Sequence, residues 1–344
     1  MKKIKIITGC TLVSVGIIFA LELLQVLNEH DNGFKRIFNQ KALELITSFP
    51  LNSGGYYFAG TSSNHVYLAN SFYKQALVET DYAITHLAYL QIRVKLPEKL
   101  FLPYERTLID SNDIFITEGI SPVMIRQSLY GDSDGVTLPV KSHFNLMVPL
   151  SKTSFIVRRY DSVLQQNILE KIKMADFAAI EKRFVLSREG NGFFSTDGSL
   201  LFDQYSGMIC YVYRYRNEID FLDPDLDLIY TSRSIDTIKT PELGLEKINS
   251  EGMITFSVPP KYVNKFAALS NKYLLIESGL KASNENAHVF AHEFIMDLYD
   301  NRTGQYLYSF YISSFHDEKI QNFVLSDSTI LVLYENYLCA YRIK

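Results

Sequence analysis

Two histidines near the C-terminus have a spacing that can bind a metal ion. His288 and His292 are four positions apart, and Glu293 follows them. On a helix these positions share a face, whereas on a strand they lie about 13 Å apart, too far for one ion. The surrounding sequence HVFAHEFIMDLYD leads into a hairpin, which favours the strand. We therefore expect no metal at this pair, although it is the first candidate.

Three aspartates form a second candidate metal site. Asp223, Asp225 and Asp227 match the D-x-D-x-D pattern with which calcium loops begin, because hard cations prefer clustered carboxylates. The following positions lack the glycine and the closing glutamate of such a loop, and Pro224 lies inside the triplet. The pattern favours a solvated turn between two strands, and we expect no cofactor.

Arginine and tyrosine occur together in two segments, RRY and YRYRN, which indicates a binding face. The sequence has no G-x-S-x-G, H-E-x-x-H, Walker or dinucleotide-binding motif that would point to catalysis. Arginine and tyrosine are enriched at binding hot spots. The candidates for the binding face are Arg158, Arg159, Tyr160, Tyr213, Arg214, Tyr215 and Arg216. The alternative interpretation is that alternate strand residues simply point to solvent.

The segments that contain these candidate residues have the sequence pattern of β-strands. From Gly54 onward the hydrophobic residues follow a period of two, and turn residues separate the runs. The segment 193–238 predicts four strands separated by TDG, YSG, RN and DPD. Near the C-terminus, FIMDLYD and QYLYSFYI predict a hairpin around NRTG, because Asn and Gly tolerate a left-handed backbone.

Such strand groups recur about six times, at intervals of about 45–50 residues, which favours a β-propeller over a sandwich. We predict an all-β fold with six blades, seven being the alternative. The last group, residues 320–344, shows three strands, and a strand near Tyr56 is expected to supply the fourth. Such closure removes an open sheet edge. Residues 175–188 are expected to form a short helix or a crossing between sheets.

The composition narrows the class of protein. The chain has 344 residues and a net charge of −4 without a basic patch, so nucleic acid is not an expected partner. The 23 Tyr and 23 Phe residues favour strands. The three cysteines do not form a disulfide framework, and we expect Cys210 and Cys339 to be buried free thiols.

The N-terminal segment predicts a membrane anchor. Lys2, Lys3 and Lys5 precede a mainly apolar run, residues 6–27, whose one charged residue is Glu22 and which is long enough to span a bilayer. Lysines on the N-terminal side place that side in the cytoplasm. We therefore predict a transmembrane helix in residues 1–28, a partly helical connector in residues 29–53, and a periplasmic propeller in residues 54–344 of a single-pass bacterial membrane protein.

Two alternatives compete with an uncleaved anchor. A cleaved signal peptide would show small residues in an A-x-A-like site after the apolar run, and LELLQVLNEHD offers none. A lipoprotein box would match ITGC at Cys10, but this sequence precedes the apolar core instead of following it. The sequence therefore favours the uncleaved signal anchor.

Residues 197–230, which include the sequence YVYRYRNEIDFLDPDLDLIY, resemble a blade of the six-bladed, TolB-like β-propellers. The whole body, from YYFAGTSSNHVYLAN through VNKFAALSNKYLLIESGL to YENYLCAYRIK, also resembles a group of uncharacterised bacterial envelope proteins of this shape. The WD dipeptide, the YWTD signature and the kelch double glycines are absent. The resemblance implies a shape and no reaction.

These observations predict a membrane-anchored binding or scaffold protein that docks a protein or an envelope component. The alternative is a hydrolase or lyase in the central funnel, and a third option is an accessory subunit of a membrane redox or export system. An enzyme predicts titratable groups with shifted pKa values in one deep pocket. A binding protein predicts an exposed apolar or Tyr/Arg-rich patch on one face.

Overall fold

The computed structural model describes residues 32–344 except 63, 93–101, 103, 131–134, 141, 175–177 and 249–253. The predicted transmembrane helix, residues 1–28, lies outside the described residues. Within the described part, each helix is too short or too polar to cross a bilayer.

The first half of the chain forms three four-stranded sheets and, before them, the strand β1 (Leu43–Pro50). Blade 1 comprises β2 (Tyr56–Ser62), β3 (His65–Asn70), β4 (Ala76–Asp81) and β5 (Leu87–Gln91). Blade 2 comprises β6 (Arg106–Asp110), β7 (Asp113–Glu118), β8 (Val123–Ser128) and β9 (Val136–Pro139). Blade 3 comprises β10 (Leu146–Pro149), β11 (Ser154–Asp161), β12 (Gln166–Met174) and β13 (Ala178–Val185).

The second half adds two short helices, a small hairpin and the remaining sheets. Helix α1 (Gly192–Ser195) precedes blade 4, which comprises β14 (Gly198–Asp203), β15 (Met208–Tyr213), β16 (Glu218–Leu222) and β17 (Leu228–Arg233). The hairpin is β18 (Leu245–Lys247) and β19 (Ile254–Phe256). Blade 5 comprises β20 (Asn264–Leu269), β21 (Tyr273–Ser278), β22 (Glu293–Asp300) and β23 (Tyr306–Ser313), with α2 (Ala287–His292) before β22. The last strands are β24 (Asn322–Leu325), β25 (Thr329–Leu333) and β26 (Tyr337–Ile343).

The sheets form a closed ring. Blades 1 to 5 are antiparallel four-stranded meanders whose strands follow chain order. Their first strands, together with β24, contact one another in a complete cycle, with β2 touching both β6 and β24. The prediction of an all-β, six-bladed propeller is therefore confirmed.

The ring closes with a strand that the sequence analysis did not assign. β1 pairs antiparallel with β26, from Leu43 opposite Ile343 to Pro50 opposite Tyr337, and becomes the outer strand of blade 6. The strand at Tyr56 is instead the inner strand of blade 1. The expected role of a strand near Tyr56 is wrong, and so is the helical connector, because the segment 29–53 supplies β1. Closure by an N-terminal strand is confirmed.

The hydrophobic core is divided between the blades. Six clusters of buried apolar side chains each join consecutive blades. One of them packs Val66 and Leu68 of blade 1 against Leu331 and Leu333 of blade 6, which completes the ring. Because both faces of a middle strand are covered by neighbouring blades, β25 is buried throughout its length. The cysteines Cys210 and Cys339 are buried free thiols, as predicted.

Glycine is required at two kinds of position. A Cβ at Gly60 would lie 2.0 Å from the carbonyl oxygen of Ile109, so the inner strands of blades 1 and 2 approach too closely for a side chain. Gly304 has φ of 67° in the turn between β22 and β23, as the NRTG sequence predicts. The helix or crossing expected for residues 175–188 is wrong, since β13 occupies most of that stretch.

Candidate functional site

The predicted binding-face residues lie at one end of the ring. In an antiparallel four-stranded meander the chain reverses at every turn. The turn between the second and third strands of a blade therefore lies at the same end of the ring as the connections between blades. We call this the upper end and the opposite one the lower end. In blades 3 to 5 the upper end includes α1, the turn between β15 and β16, and the β18–β19 hairpin.

Six aromatic side chains form a continuous row at the upper end, which we call the aromatic surface. Its members, in order of contact, are Tyr160, Phe193, Phe194, Phe256, Tyr215 and Tyr262. Successive ring centroids are 5.7, 5.1, 4.5, 6.0 and 5.6 Å apart. Ring pairs in this range attract one another beyond the burial of area. The row crosses from blade 3 over blade 4 to the connection that enters blade 5.

Much of this row is open to solvent. Tyr160 is 42% exposed, Phe193 48% and Tyr262 41%. Val163 and Val258, in connections at the same end, are also exposed. Single exposed apolar residues are common on soluble proteins, but a contiguous group marks an interaction site.

Local structure fixes the central part of the row. Asn191 caps α1 by accepting hydrogen bonds from the backbone N–H groups of Phe193 and Phe194 at 3.1 and 3.3 Å. Arg216 donates to the carbonyl oxygens of Ser195 at 2.8 Å and Ser187 at 2.7 Å, which lie after and before these phenylalanines. The two phenylalanines are therefore presented by a fixed backbone.

A charged bridge borders the row on its inner side. Asp197 accepts a hydrogen bond from Arg158 Nη1 at 2.7 Å and another from Arg214 Nε at 2.7 Å. Arg214 also donates to the carbonyl oxygen of Lys265 at 3.2 Å, and its guanidinium lies 5.9 Å from the Tyr262 ring. Arg158 is buried, whereas a quarter of the Arg214 side chain is open to solvent. Arg214 can therefore offer a donor beside the aromatic surface.

The bridge continues into blade 5 through Lys265. Its ammonium donates to Glu277 Oε1 at 3.1 Å, while Glu277 Oε2 is buried without a hydrogen-bond partner. Burial raises the pKa of Glu277 above its ordinary value of 4.5, and the charge of Lys265 offsets part of this effect.

We expect Glu277→Gln to gain stability relative to the wild type as the pH rises. The folded-state pKa is raised, so the protonated carboxyl contributes stability below pH 4.5 that is lost as the pH rises through the folded-state pKa. Glutamine does not ionise. Urea unfolding between about pH 4 and pH 8 should show the variant's free energy of unfolding rising relative to the wild type's. A constant difference, as expected for the exposed control Glu246→Gln, would contradict this assignment.

The predicted binding-face residues divide into exposed and buried groups. Tyr160 and Arg214 reach solvent, while Tyr215 is buried within the aromatic surface. Tyr213 and Arg216 are fully buried, with the guanidinium 3.7 Å from the ring centroid. Tyr213 and Arg216 therefore stabilise the backbone beneath the aromatic surface and do not face a ligand.

Arg158 and Arg159 point to different surroundings. Arg158 is buried and donates to Tyr211 Oη at 2.9 Å in addition to Asp197. Arg159 lies on the other face of β11, where it pairs with the buried carboxylate of Glu170 at 2.7 Å. Only Arg158 of this pair contacts the charged bridge.

The predicted metal candidates lie elsewhere. His288 and His292 belong to α2, so the strand expected for them is wrong, and their rings stack 4.3 Å apart. His292 Nδ1 lies 2.7 Å from the carbonyl oxygen of His288. The pair shares a helical face, and no third metal-ligating side chain of the described chain joins it.

The aspartate triplet forms the turn between β16 and β17. Asp223 accepts hydrogen bonds from the backbone N–H groups of Asp225 at 2.8 Å and Asp227 at 2.9 Å. Asp225 pairs with Lys171 at 2.5 Å and Asp227 pairs with Lys182, both on blade 3. The three carboxylates therefore point to different partners.

Two surface depressions lie away from the aromatic surface. One, of about 510 Å³, lies on blade 1 and includes Tyr56, Lys74 and Tyr89 in its lining. The other, of about 450 Å³, lies beside blade 5 and includes Glu285 and Tyr311. The titratable side chains of the first depression are tyrosines and one lysine, and those of the second are Glu285 and Tyr311.

Fold and surface together define a six-bladed β-propeller with an aromatic and arginine-bearing upper end. No protein-family model matches the chain, and no curated protein matches it. It is similar in structure to a member of the DUF4221 family from Bacteroides vulgatus, with a TM-score of 0.58 and 11% identity over 89% of this chain and 99% of that one. It is also similar to a predicted exported protein from Bacteroides fragilis, with a TM-score of 0.56 and 11% identity over 90% and 98%. At this identity the likeness shows the fold alone.

Proposed function

We propose that this protein is a membrane-anchored, extracytoplasmic binding protein. Its aromatic surface docks the extracytoplasmic part of a membrane-embedded partner protein. The observation that carries this proposal is the continuous row of aromatic rings with Arg214 beside it, at one end of the propeller. Tyrosine and arginine are enriched where partner proteins bind most strongly.

The physical basis is the area that these rings leave in water. Burial of apolar surface contributes about 25 cal/mol per Å², and an aromatic side chain buries about 150–250 Å² in full. Phe193, Tyr160 and Tyr262 are each roughly half exposed, so a partner can remove substantial apolar area from water. Because the capped α1 already holds Phe193, little ordering is required on binding.

The position of Asn32 supports an orientation toward the membrane. Asn32 accepts a hydrogen bond from Lys261 Nζ at 3.1 Å and donates to the carbonyl oxygen of Lys281 at 2.8 Å, both in upper-end connections. Lys261 directly precedes Tyr262 of the aromatic surface. A transmembrane helix in residues 1–28 would therefore leave the propeller from the upper end, which turns the aromatic surface toward the bilayer.

An extracytoplasmic location agrees with the distribution of lysines in residues 1–5. The structural neighbour from Bacteroides fragilis is itself a predicted exported protein. The single membrane span and the TolB-like type of propeller remain predictions. The structural neighbours support the shape on which the docking proposal depends.

Replacing Tyr160 and Phe193 together by serine is expected to reduce recovery of the partner at least about tenfold, because hot-spot aromatics each contribute about 2 kcal/mol or more. The measurement is quantitative mass spectrometry of proteins that co-purify from detergent-solubilised membranes. Both side chains are about half exposed, so thermal stability should change little.

The matched control is Tyr205→Ser, at the lower-end turn between β14 and β15, where the side chain is 70% exposed. Equal loss of the partner in the control, or no loss in the double variant, would contradict the proposal. Turnover of glycan or ester substrates in the absence of any captured protein would instead favour the hydrolase alternative.

A further inference from the structure

We propose that blade 1 holds a transition-metal site of the zinc type, formed by His65, Glu79 and His86 at the lower end of the propeller. This site is separate from the aromatic surface and independent of the docking function. Each of the three residues offers one ligand atom, and these atoms all lie within 4.8 Å of one another. It is the one group of three or more such residues found in the described part of the chain.

Strand register brings the three residues together. His65 begins β3 and pairs with Asp81 of β4, while Tyr67 pairs with Glu79, so these four side chains share one face of the sheet. His86 directly precedes β5, whose Ala88 pairs with Glu79. The second ligand therefore comes from a neighbouring strand and the third from the connection that follows it.

The geometry of His65, Glu79 and His86 fits metal ligation better than it fits an ordinary ion pair. His65 Nδ1 lies 2.7 Å from Glu79 Oε1, yet this nitrogen has no aligned hydrogen-bond partner. The His65 and His86 rings stand edge to face with centroids 6.0 Å apart. A metal bound at about 2.0–2.2 Å from each donor would draw the three groups together with small side-chain rotations.

A further carboxylate orients one of the histidines. Asp81 Oδ2 lies 3.5 Å from His86 Nδ1, and Asp81 is itself fixed by hydrogen bonds from the backbone N–H groups of Ala83 at 3.0 Å and Thr85 at 2.9 Å. A carboxylate at Nδ1 leaves Nε2 as the ligand nitrogen, an arrangement that is common around protein-bound zinc.

The donor set selects the class of ion. Two imidazoles and one carboxylate suit zinc and similar divalent transition metals, whereas calcium and magnesium prefer oxygen ligands alone. About half of each histidine side chain is open to solvent, so a fourth coordination position is accessible to water or to a small ligand.

The test is isothermal titration calorimetry, in which zinc is added to the full-length protein after purification in detergent and dialysis against EDTA. We expect one zinc per chain, with binding weakened at least about 100-fold in His65→Ala and Glu79→Gln and about tenfold in Asp81→Asn. The matched control is the His288→Ala, His292→Ala double variant, which should bind as the wild type does.

A second measurement covers the case in which a variant fails to fold. Cobalt added to the wild type should give the intense visible absorption of a four-coordinate centre, and zinc should displace it. The proposal is overturned if the wild type binds no zinc, if binding is lost only in the His288 and His292 variant, or if cobalt shows only the weak spectrum of the hydrated ion.

Discussion

Deleting residues 1–51 is expected to abolish cooperative folding of the propeller, whereas deleting residues 1–31 should leave it folded. The longer deletion removes β1, which forms seven residue pairs with β26. Loss of β1 exposes the whole hydrogen-bonding edge of β26, and exposed edges promote aggregation. It also removes Leu51 and Ile46 from the cluster that joins blade 6 to blade 1.

An intermediate deletion separates strand closure from the contacts that precede it. Deleting residues 1–41 removes the segment before β1 but retains the strand. We expect this protein to fold with reduced stability, between the other two deletions. Thermal unfolding and size-exclusion chromatography of the three proteins provide the measurement. A folded, monomeric protein after deletion of residues 1–51 would show that β1 is dispensable for closure.

Arg36→Ala is expected to lower the free energy of unfolding by about 3–5 kcal/mol, since removing one partner of a buried ion pair leaves an uncompensated charge. The Arg36 side chain is fully buried, and its Nε donates to Asp297 at 2.8 Å while Nη1 pairs with Glu285. Burial alone would lower the pKa of Arg36, but the carboxylates of Asp297 and Glu285 outweigh burial and raise it above its ordinary value.

The surrounding hydrogen bonds explain why the loss should be large. Asp297 also accepts from Ser309 Oγ at 2.6 Å, and Glu285 accepts from Tyr311 Oη at 2.7 Å. Without Arg36 the two buried carboxylates would keep these hydrogen bonds but lose the positive charge that faces both of them.

Urea unfolding of Arg36→Ala at neutral pH measures this loss of stability. The matched control is Lys35→Ala, in which the neighbouring side chain is exposed, and its effect should stay within about 0.5 kcal/mol. An equal effect of the two substitutions would mean that the buried ion pair does not hold the N-terminal segment to blade 5.

The strand pattern was sufficient to predict the propeller because turn chemistry and period-two runs are local properties. The hairpin around Gly304 and the four strands of blade 4 follow directly from their residues. The role of β1 was missed because its pairing with β26 joins residues almost 300 positions apart in the chain. Its sequence, LELITSFP, lies within the connector for which a partly helical structure was expected, and a distant partner strand leaves no local signal.

The binding residues were predicted only in part, for a physical reason. Alternation along a strand divides residues into two faces, but both faces of a middle strand in a propeller are covered. Tyr213, the last residue of β15, is therefore buried. Arg216 lies in the turn after β15 and is buried because its guanidinium packs on the Tyr213 ring and donates to two backbone carbonyls, unlike the partly exposed Arg214. Phe193 and Phe256 were not predicted, because they lie in connections whose proximity depends on the arrangement of blades.

The histidine cluster of blade 1 illustrates the same limit. His65 and His86 are separated by 21 positions and match no metal-binding spacing, whereas the pair His288 and His292 does match one. Antiparallel register places His65 beside Glu79 and the following connection adds His86. The strand pattern and turn positions of residues 56–91 could have indicated the cluster, because they align these strands as antiparallel hairpins and so place the three side chains together.

Site-specific photo-crosslinking in intact cells of the native host tests whether the aromatic surface docks a membrane protein. A photoreactive phenylalanine analogue is placed at position 193 of the full-length protein or, as a control, at position 205 on the lower end. We predict that position 193 crosslinks to one predominant membrane protein and that position 205 does not. Crosslinking of position 193 to lipid alone, to no partner, or to the same proteins as position 205 would contradict the account.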